Sequence, residues 1–296
     1  MNILPQLLLN ALITGSIYAL ASVGFSLTFL VTKTFNFAHG HLLMLGAYIF
    51  YWANVQLGLS FFPAVGFTLL FMLAVSLLSF RVFLAPFYRL NFLLPIITTL
   101  ALATIIESLV SLKFGVTVKS LVPGFANTPF DVWHITVTPV ELIIIGSTLL
   151  LLSFLAFMIH SSSFGRKMRA LSQNQEAAVS LGINDQRFVV GLFIIGVLLA
   201  AYGGVAVGYY TNLQPTMGNL YTIRSFAALV LGGLGNIWGT LAGAYILGLV
   251  ENLSLGLDLG AYSIPAGYKD AFAFFIIFFV LLFRPEGLFQ RRGRKV

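Results

Sequence analysis

Two carboxylates and a few imidazoles are the groups in this 296-residue chain that could do chemistry at membrane depth. Glu107 and Glu251 each fall in or at the end of an apolar run, and His39 and His41 sit with Asn36 in the polar stretch 34–41, TFNFAHGH. Protons or sodium ions crossing at mid-membrane need carboxylates or carbonyls, so these two acids are what a gradient-coupled carrier would use. The sequence favours a plainer placement, with Glu107 near the outer end of a span and Glu251 within a turn of one, both in water. His39, His41, His134 and His160 do not form a ligand set with an acidic partner at metal spacing. The motifs H-E-x-x-H, G-x-x-x-x-G-K-[ST] and G-x-S-x-G are absent. No catalytic residue and no metal ligand is assigned, and the chain is expected not to hydrolyse a nucleotide.

The elements that must position these groups are membrane helices. Charged residues make up 8% of the chain and hydrophobic ones 59%, against roughly 25% charged in a soluble domain. Apolar runs of about 20 residues recur without strand-like alternation, which indicates a polytopic helical membrane protein rather than an outer-membrane barrel. With no cysteine there are no disulfides and no thiolate chemistry. The net charge of +7 reads as positive-inside bias rather than a nucleic-acid surface. The first 31 residues lack a basic n-region and an A-x-A site and are expected to be a retained span.

In chain order, 4–30 is a first span whose Gly15, Ser16, Ala19, Ala21, Ser22 and Gly24 offer small faces for close helix contact. The stretch 34–41 and the short apolar run 42–55 suggest a broken or re-entrant segment beside protein or a water-filled pathway. Spans follow at 61–80, 93–112, 140–159, 188–210 and 268–283, with 113–139, 211–219 and 255–266 as connectors. The run 220–231 is too short to cross about 30 Å. It ends in the glycine-rich break 232–239, with Gly232, Gly233, Gly235 and Asn236, before apolar character resumes at 240–253. About eight or nine membrane segments result, two of them broken. Gly46-Ala47-Tyr48-Ile49 after the first break echoes Gly243-Ala244-Tyr245-Ile246 after the second, and paired breaks point to a pathway. Placing 81–89, 164–187 and the basic tail on the cytoplasmic side puts twelve of the sixteen Lys and Arg there. The C-terminus is then cytoplasmic and the N-terminus external. Arg224 and Lys269 are expected near span edges.

The longest polar run, 164–187, reads as an amphipathic surface element with Phe164, Met168, Leu171, Ala178 and Leu181 on one face. Ser172-x-x-Gln175 fits a capping box, so a fresh helix is expected from Ser172 to Leu181, with Gly182 in the left-handed position after it. A basic, capped loop between spans suits docking of a soluble partner.

Glu176-Ala177-Ala178 followed by Gly182 resembles the coupling loop of ABC importer permeases. The fuller set resembles the branched-chain amino acid permease family: 35–40 (FNFAHG), 44–48, 164–170 (FGRKMRA), 178–183, 230–239, 268–270 and 284–289 (RPEGLF). This resemblance covers nearly the whole chain. It implies an all-α permease similar to type II ABC importers, forming one transmembrane domain over 1–296 with a coupling loop at 161–187 and a basic cytoplasmic tail at 284–296. It implies a bacterial inner-membrane subunit paired with a second related permease, as a heterodimer or homodimer. It further implies two cytoplasmic ABC ATPase subunits, an external solute-binding protein, and ATP and magnesium used by those ATPases rather than bound by this chain. Lipid is a partner; nucleic acid is not. Arg166, Lys167, Arg169, Glu176, Ala177, Ala178 and Gly182 would form the ATPase-coupling loop. Asn36, His39, His41, Gly232, Gly233, Gly235 and Asn236 are the translocation-pathway candidates. Asn36 and His39 could instead cap helix ends freed by the break. The implied cargo is a branched-chain or other apolar amino acid. Urea or a short amide, and a stand-alone gradient-driven carrier, are the alternatives.

Overall fold

The computed structural model describes residues 3–124, 126–132, 135–254 and 269–289. The connector expected at 255–266, His134, and Arg291, Arg292, Arg294 and Lys295 of the tail lie outside them. The helices are α1 (Leu4–Thr32), α2 (His39–Tyr51), α3 (Phe61–Ser79), α4 (Leu93–Phe114), α5 (Pro139–Ser161), α6 (Ser163–Gln173), α7 (Gln175–Ser180), α8 (Asp185–Tyr210), α9 (Met217–Gly232), α10 (Ile237–Ser254) and α11 (Lys269–Phe283). Single π-helical turns extend α2 through Gln56 and α3 through Leu84.

Helix α1 is apolar all round and is buried from Gly15 to Thr32, as such a helix must be. Helices α8, α9 and α10 pack most extensively on it, with α5 also against it and α2 touching it near Ala21. The small residues permit this, because backbones can approach where no side chain intervenes. A Cβ on Gly24 would stand 2.4 Å from the Gly196 carbonyl oxygen, and one on Gly248 would stand 2.7 Å from the Gly15 nitrogen. The echoed glycines also sit at close contacts: a Cβ on Gly46 would meet the Ala201 backbone at 2.6 Å, and one on Gly243 the Ala228 carbonyl at 2.4 Å.

Helices α3, α4 and α5 lie outside this core and expose Phe62, Leu70, Leu112, Leu150, Phe154 and Phe157. Apolar faces of that extent belong against hydrocarbon. Among the described residues, five helices are long and apolar enough to cross a membrane: α1, α3 with its π turn, α4, α5 and α8. Helices α9 and α10 pass the same test together, as a pair bent by 119°.

The connector after α4 is not wholly irregular. Strands β1 (Phe130–Val132) and β2 (Ile135–Val137) form an antiparallel hairpin, with Phe130 opposite Val137. The Gln6 side chain, near the start of α1, bonds both backbone groups of Thr136 at 2.9 and 3.1 Å. Lys119 and Leu213 exchange backbone bonds at 3.0 and 2.8 Å. These contacts gather the start of α1, the hairpin and the α8–α9 link at one end of the bundle. The α3–α4 link, α6, α7 and the α9–α10 break occupy the other. The pure-helix expectation is thus amended by one small hairpin. Span edges shift by a few residues: α8 begins at Asp185, and Arg81 lies in the π turn rather than in a loop.

Candidate functional site

The polar run between α5 and α8 folds as two short helices, broken elsewhere than the capping pattern suggested. Ser162 caps α6, its side chain accepting from Gly165 N–H at 3.1 Å. Helix α6 continues through Ser172 because Met168 and Leu171 are buried in its turns, while the Ser172 hydroxyl donates back to the Arg169 carbonyl at 2.9 Å. Asn174 is the cap that starts α7, accepting from Ala177 N–H at 3.0 Å. At the other end, Ile183 N–H bonds the Ala178 carbonyl at 3.1 Å and Gly182 N–H the Val179 carbonyl at 2.9 Å, with Gly182 at φ 83°. This is a Schellman motif, and it requires the left-handed glycine expected at this position.

Residues Arg166, Lys167, Glu176 and Ala177 are exposed on this element, and Ala178 is buried beneath it. Arg169 turns inward and donates to the Ile159 carbonyl at the end of α5 at 2.5 Å. Leu181, expected on the buried face, is 82% exposed. The break at Asn174 resets the helix axis, so the periodicity begun at Phe164 does not carry across it. Gln175 and Arg89 both donate to the Asp185 carboxylate, at 2.8 and 2.5 Å. The loop is thereby tied to the α3–α4 link. Arg166 and Lys167 stand at the N-terminal end of α6, where the helix dipole disfavours cations. Helix stability does not explain them.

The polar break after α1 turns back into the bundle. Lys33 ends α1 in the left-handed conformation, φ 54°, and α2 starts six residues later. Its orphan backbone groups find partners on other helices, as burial demands. Phe37 N–H donates to Thr99 of α4 at 3.1 Å, and Gly40 N–H to Thr222 of α9 at 3.1 Å. The Asn36 side chain accepts from Ala38 N–H at 3.1 Å. His39 Nε2 donates to the Ala21 carbonyl of α1 at 2.9 Å. His41 Nε2 meets Glu107 Oε2 at 3.2 Å, and Asn219 of α9 donates to the same oxygen at 3.3 Å. Asn36, His39 and His41 are all buried, whereas Glu107 is 29% exposed. Phe35 packs against Phe25, Phe29, Phe37, Phe92 and Phe226, closing the break on one side.

Glu251 and Arg224 are not at span edges in water. Glu251 is 2% exposed. It lies 3.4 Å from Arg224 Nε and accepts from the Tyr18 hydroxyl at 2.7 Å. The guanidinium also lies 5.1 Å from the Tyr18 ring centre and 5.9 Å from that of Tyr221. This network joins α1, α9 and α10. Its sequence signal was an arginine within an apolar run, which a buried helix must pair.

The glycine-rich break is a separate feature. Gly233 (φ 105°) and Gly235 (φ 84°) make the turn that follows Gly232. The Asn236 side chain accepts from Gly239 N–H at 3.0 Å and donates to the Phe289 carbonyl at 2.9 Å. Leu288 N–H bonds the Leu231 carbonyl at 2.9 Å. Segment 284–289 is thus pinned to this break. Gly218 lies beside the His41 ring, and Gly232 ends the same helix about 20 Å away. The glycine-rich break thus lies away from His41 but beside the start of the first break, where a Cβ on Gly235 would stand 3.8 Å from Leu30 and Phe35 packs on Phe226 at 5.2 Å.

The family described as the permease component of branched-chain amino acid transport systems matches residues 7–281. The chain is 32% identical to the high-affinity branched-chain amino acid transport system permease protein BraD of Pseudomonas aeruginosa, over 97% of this chain and 95% of that protein. It is 31% identical to the corresponding permease LivH of Escherichia coli K12, with the same shares covered. Its fold is similar to that of a chain from an ABC transporter of metal-chelate type in an inward-facing conformation (TM-score 0.51, 20% identity, 95% of this chain and 85% of that one). On the strength of these matches and of the multi-pass helical fold, the chain belongs to the family of branched-chain amino acid transport permeases.

Proposed function

We propose that this chain is one permease subunit of an ATP-driven importer for branched-chain or similar apolar amino acids. The carrying observation is the α6–α7 element, which is anchored from below and armed on its outer side. Met168, Leu171 and Ala178 are buried and Asp185 collects two bonds, while Val179, Leu181, Arg166 and Lys167 face outward. A rigid, partly apolar knob of this kind can transmit a partner's closure as a rigid-body motion, through differential contact in two states. In this reading residues 161–187 seat on a cytoplasmic ATPase, with Glu176, Ala177 and Gly182 at the contact and Arg169 bracing α5. ATP and magnesium belong to two such ATPase subunits, and this chain binds no cofactor. A second related permease completes the pathway, preferentially as a heterodimer, and an external solute-binding protein docks on the end that carries the hairpin.

The whole of 1–296 is one transmembrane domain in this reading. Its nine membrane elements are α1, α2 with its π turn, α3, α4, α5, α8, α9, α10 and α11, or eight if α9 and α10 count as one re-entrant hairpin. The N-terminus is external, and the C-terminal tail from 284 is cytoplasmic in the inner membrane of a bacterium. The pathway runs beside His41, with Asn36 and His39 holding the break open and Gly232, Gly233, Gly235 and Asn236 forming its inner hinge.

Two measurements test this reading. The chain, reconstituted in liposomes with its ATPases, partner permease and binding protein, is expected to accumulate leucine only with ATP. Uptake driven by an ion gradient without ATPases would overturn it. In the same system Gly182→Val should keep membrane insertion but lose stimulated ATPase turnover, because a β-branched residue at that φ costs about 1–2 kcal/mol and distorts the Schellman turn. Normal coupling in Gly182→Val would sink the docking claim.

A further inference from the structure

Helix α4 has an uncovered side that is not purely apolar. Thr104 and Ser108 are exposed there, Glu107 and Ser111 are half-buried, and the four follow helical spacing on a single stripe. Asn219, joined to Glu107, is exposed on α9 beside Leu220 (36% exposed) and Ile223 (50%). The Thr104 hydroxyl is satisfied within the helix, by the Leu100 carbonyl at 3.1 Å, but a carboxylate with an open oxygen beside the exposed Asn219 amide would cost several kcal/mol against hydrocarbon. The patch around Glu107 therefore borders water, while the neighbouring apolar side of α4 with Leu109 and Leu112 faces lipid.

The two acids at membrane depth are also treated differently. Glu251 is buried with Arg224 and Tyr18. Glu107 receives both of its hydrogen bonds on Oε2, from His41 and Asn219. Among the described residues Oε1 takes none, and no Lys or Arg pairs with it. The side chain is thus held in one pose while one oxygen stays open toward the uncovered face. A fixed carboxylate with an open oxygen, bordered by apolar Leu220 and Ile223, complements a primary ammonium attached to an apolar body.

We propose that Glu107 is the specificity-determining residue of the passage, accepting the α-ammonium group of the amino acid in transit, with His41 and Asn219 as its positioning residues. This rests on the amino-acid reading above. The stripe Thr104–Ser108–Ser111 supplies hydroxyls along the same wall, and Leu220 and Ile223 receive the apolar side chain. A carboxylate here also repels a second anion, so the substrate's own carboxylate must lead or trail on the far side of the passage.

Because the chain contains no cysteine, Ser108→Cys gives it a single reporter thiol one residue from Glu107. In the assembled importer in liposomes, the modification rate of this chain is read by mass with 2-aminoethyl and with 2-sulfonatoethyl methanethiosulfonate. After correction for intrinsic reactivity, the cationic reagent is expected to be favoured on the order of ten-fold. That preference should vanish in Ser108→Cys/Glu107→Gln. In the cysteine-free background, Glu107→Gln should lower leucine uptake about ten-fold or more while ATPase stimulation by the binding protein is kept, and Glu107→Asp should restore part of the uptake. An unreactive thiol, a charge preference that is absent or that survives Glu107→Gln, or unchanged uptake would each overturn the proposal. The preference in Ser108→Cys alone needs no change at Glu107, so it remains decisive if Glu107→Gln does not assemble. If the parent importer moves no amino acid, the functional reading fails, and the thiol measurement still reports separately on the charge of the passage.

Discussion

Arg224→Met is expected to remove most of the folded protein from the membrane. The change removes the guanidinium that lies 3.4 Å from Glu251 while leaving the carboxylate 2% exposed among α1, α9 and α10. Breaking one side of a buried pair typically costs about 3–5 kcal/mol, because the remaining charge is uncompensated. A protein whose whole margin is about 5–15 kcal/mol loses a large share of it. The double variant Arg224→Met/Glu251→Gln should recover much of the loss, since no charge is then stranded and a neutral amide and an apolar side chain of comparable length fill the site. Thermal unfolding midpoints and monodisperse yield after extraction distinguish the two. Equal stability of the single variant and the parent would show that the pair is not structural. Equal damage in the single and double variants would assign the cost to lost packing rather than to the stranded charge.

Gly24→Val should be comparably severe for a different reason. Its Cβ would stand 2.4 Å from the Gly196 carbonyl oxygen, and the reciprocal contact from Gly196 to the Gly24 oxygen is 2.5 Å. Both obstacles are backbone, so no rotamer change relieves them and α1 must separate from α8. Overpacking typically costs about 1–3 kcal/mol, and more where nothing can move. The site lies on the central helix, whose displacement also disturbs α2 and α10. Gly66 of α3 provides the contrast. A Cβ there meets nothing within 4 Å, so Gly66→Ala should be neutral or should gain about 0.5–1 kcal/mol from helix propensity. If Gly24→Val extracts and unfolds like the parent, the close α1–α8 crossing is wrong.

The membrane class, most span positions, the left-handed Gly182 and the small-residue faces of α1 were legible in the residue order. Each depends on local composition or periodicity that survives without knowledge of neighbours. So did the family resemblance, carried by motifs spread from Phe35 to Phe289. The helix boundary in the polar loop was less legible. Ser172 and Asn174 are both plausible caps, and the burial of Met168 and Leu171 carried α6 past the first to the second. Leu181 was misread for the same reason, since a period cannot be extended through a break whose place depends on packing. Only the tertiary structure decided the fate of the acids. Glu107 and Glu251 look alike in sequence, as single carboxylates in or beside apolar runs. One is buried against an arginine 27 residues upstream and a tyrosine on α1, and the other is left with an oxygen open on an uncovered helix face. Side chains that distant meet only through the close crossings that the glycines of α1, α8 and α10 permit, and no local pattern encodes which partner a charge will find.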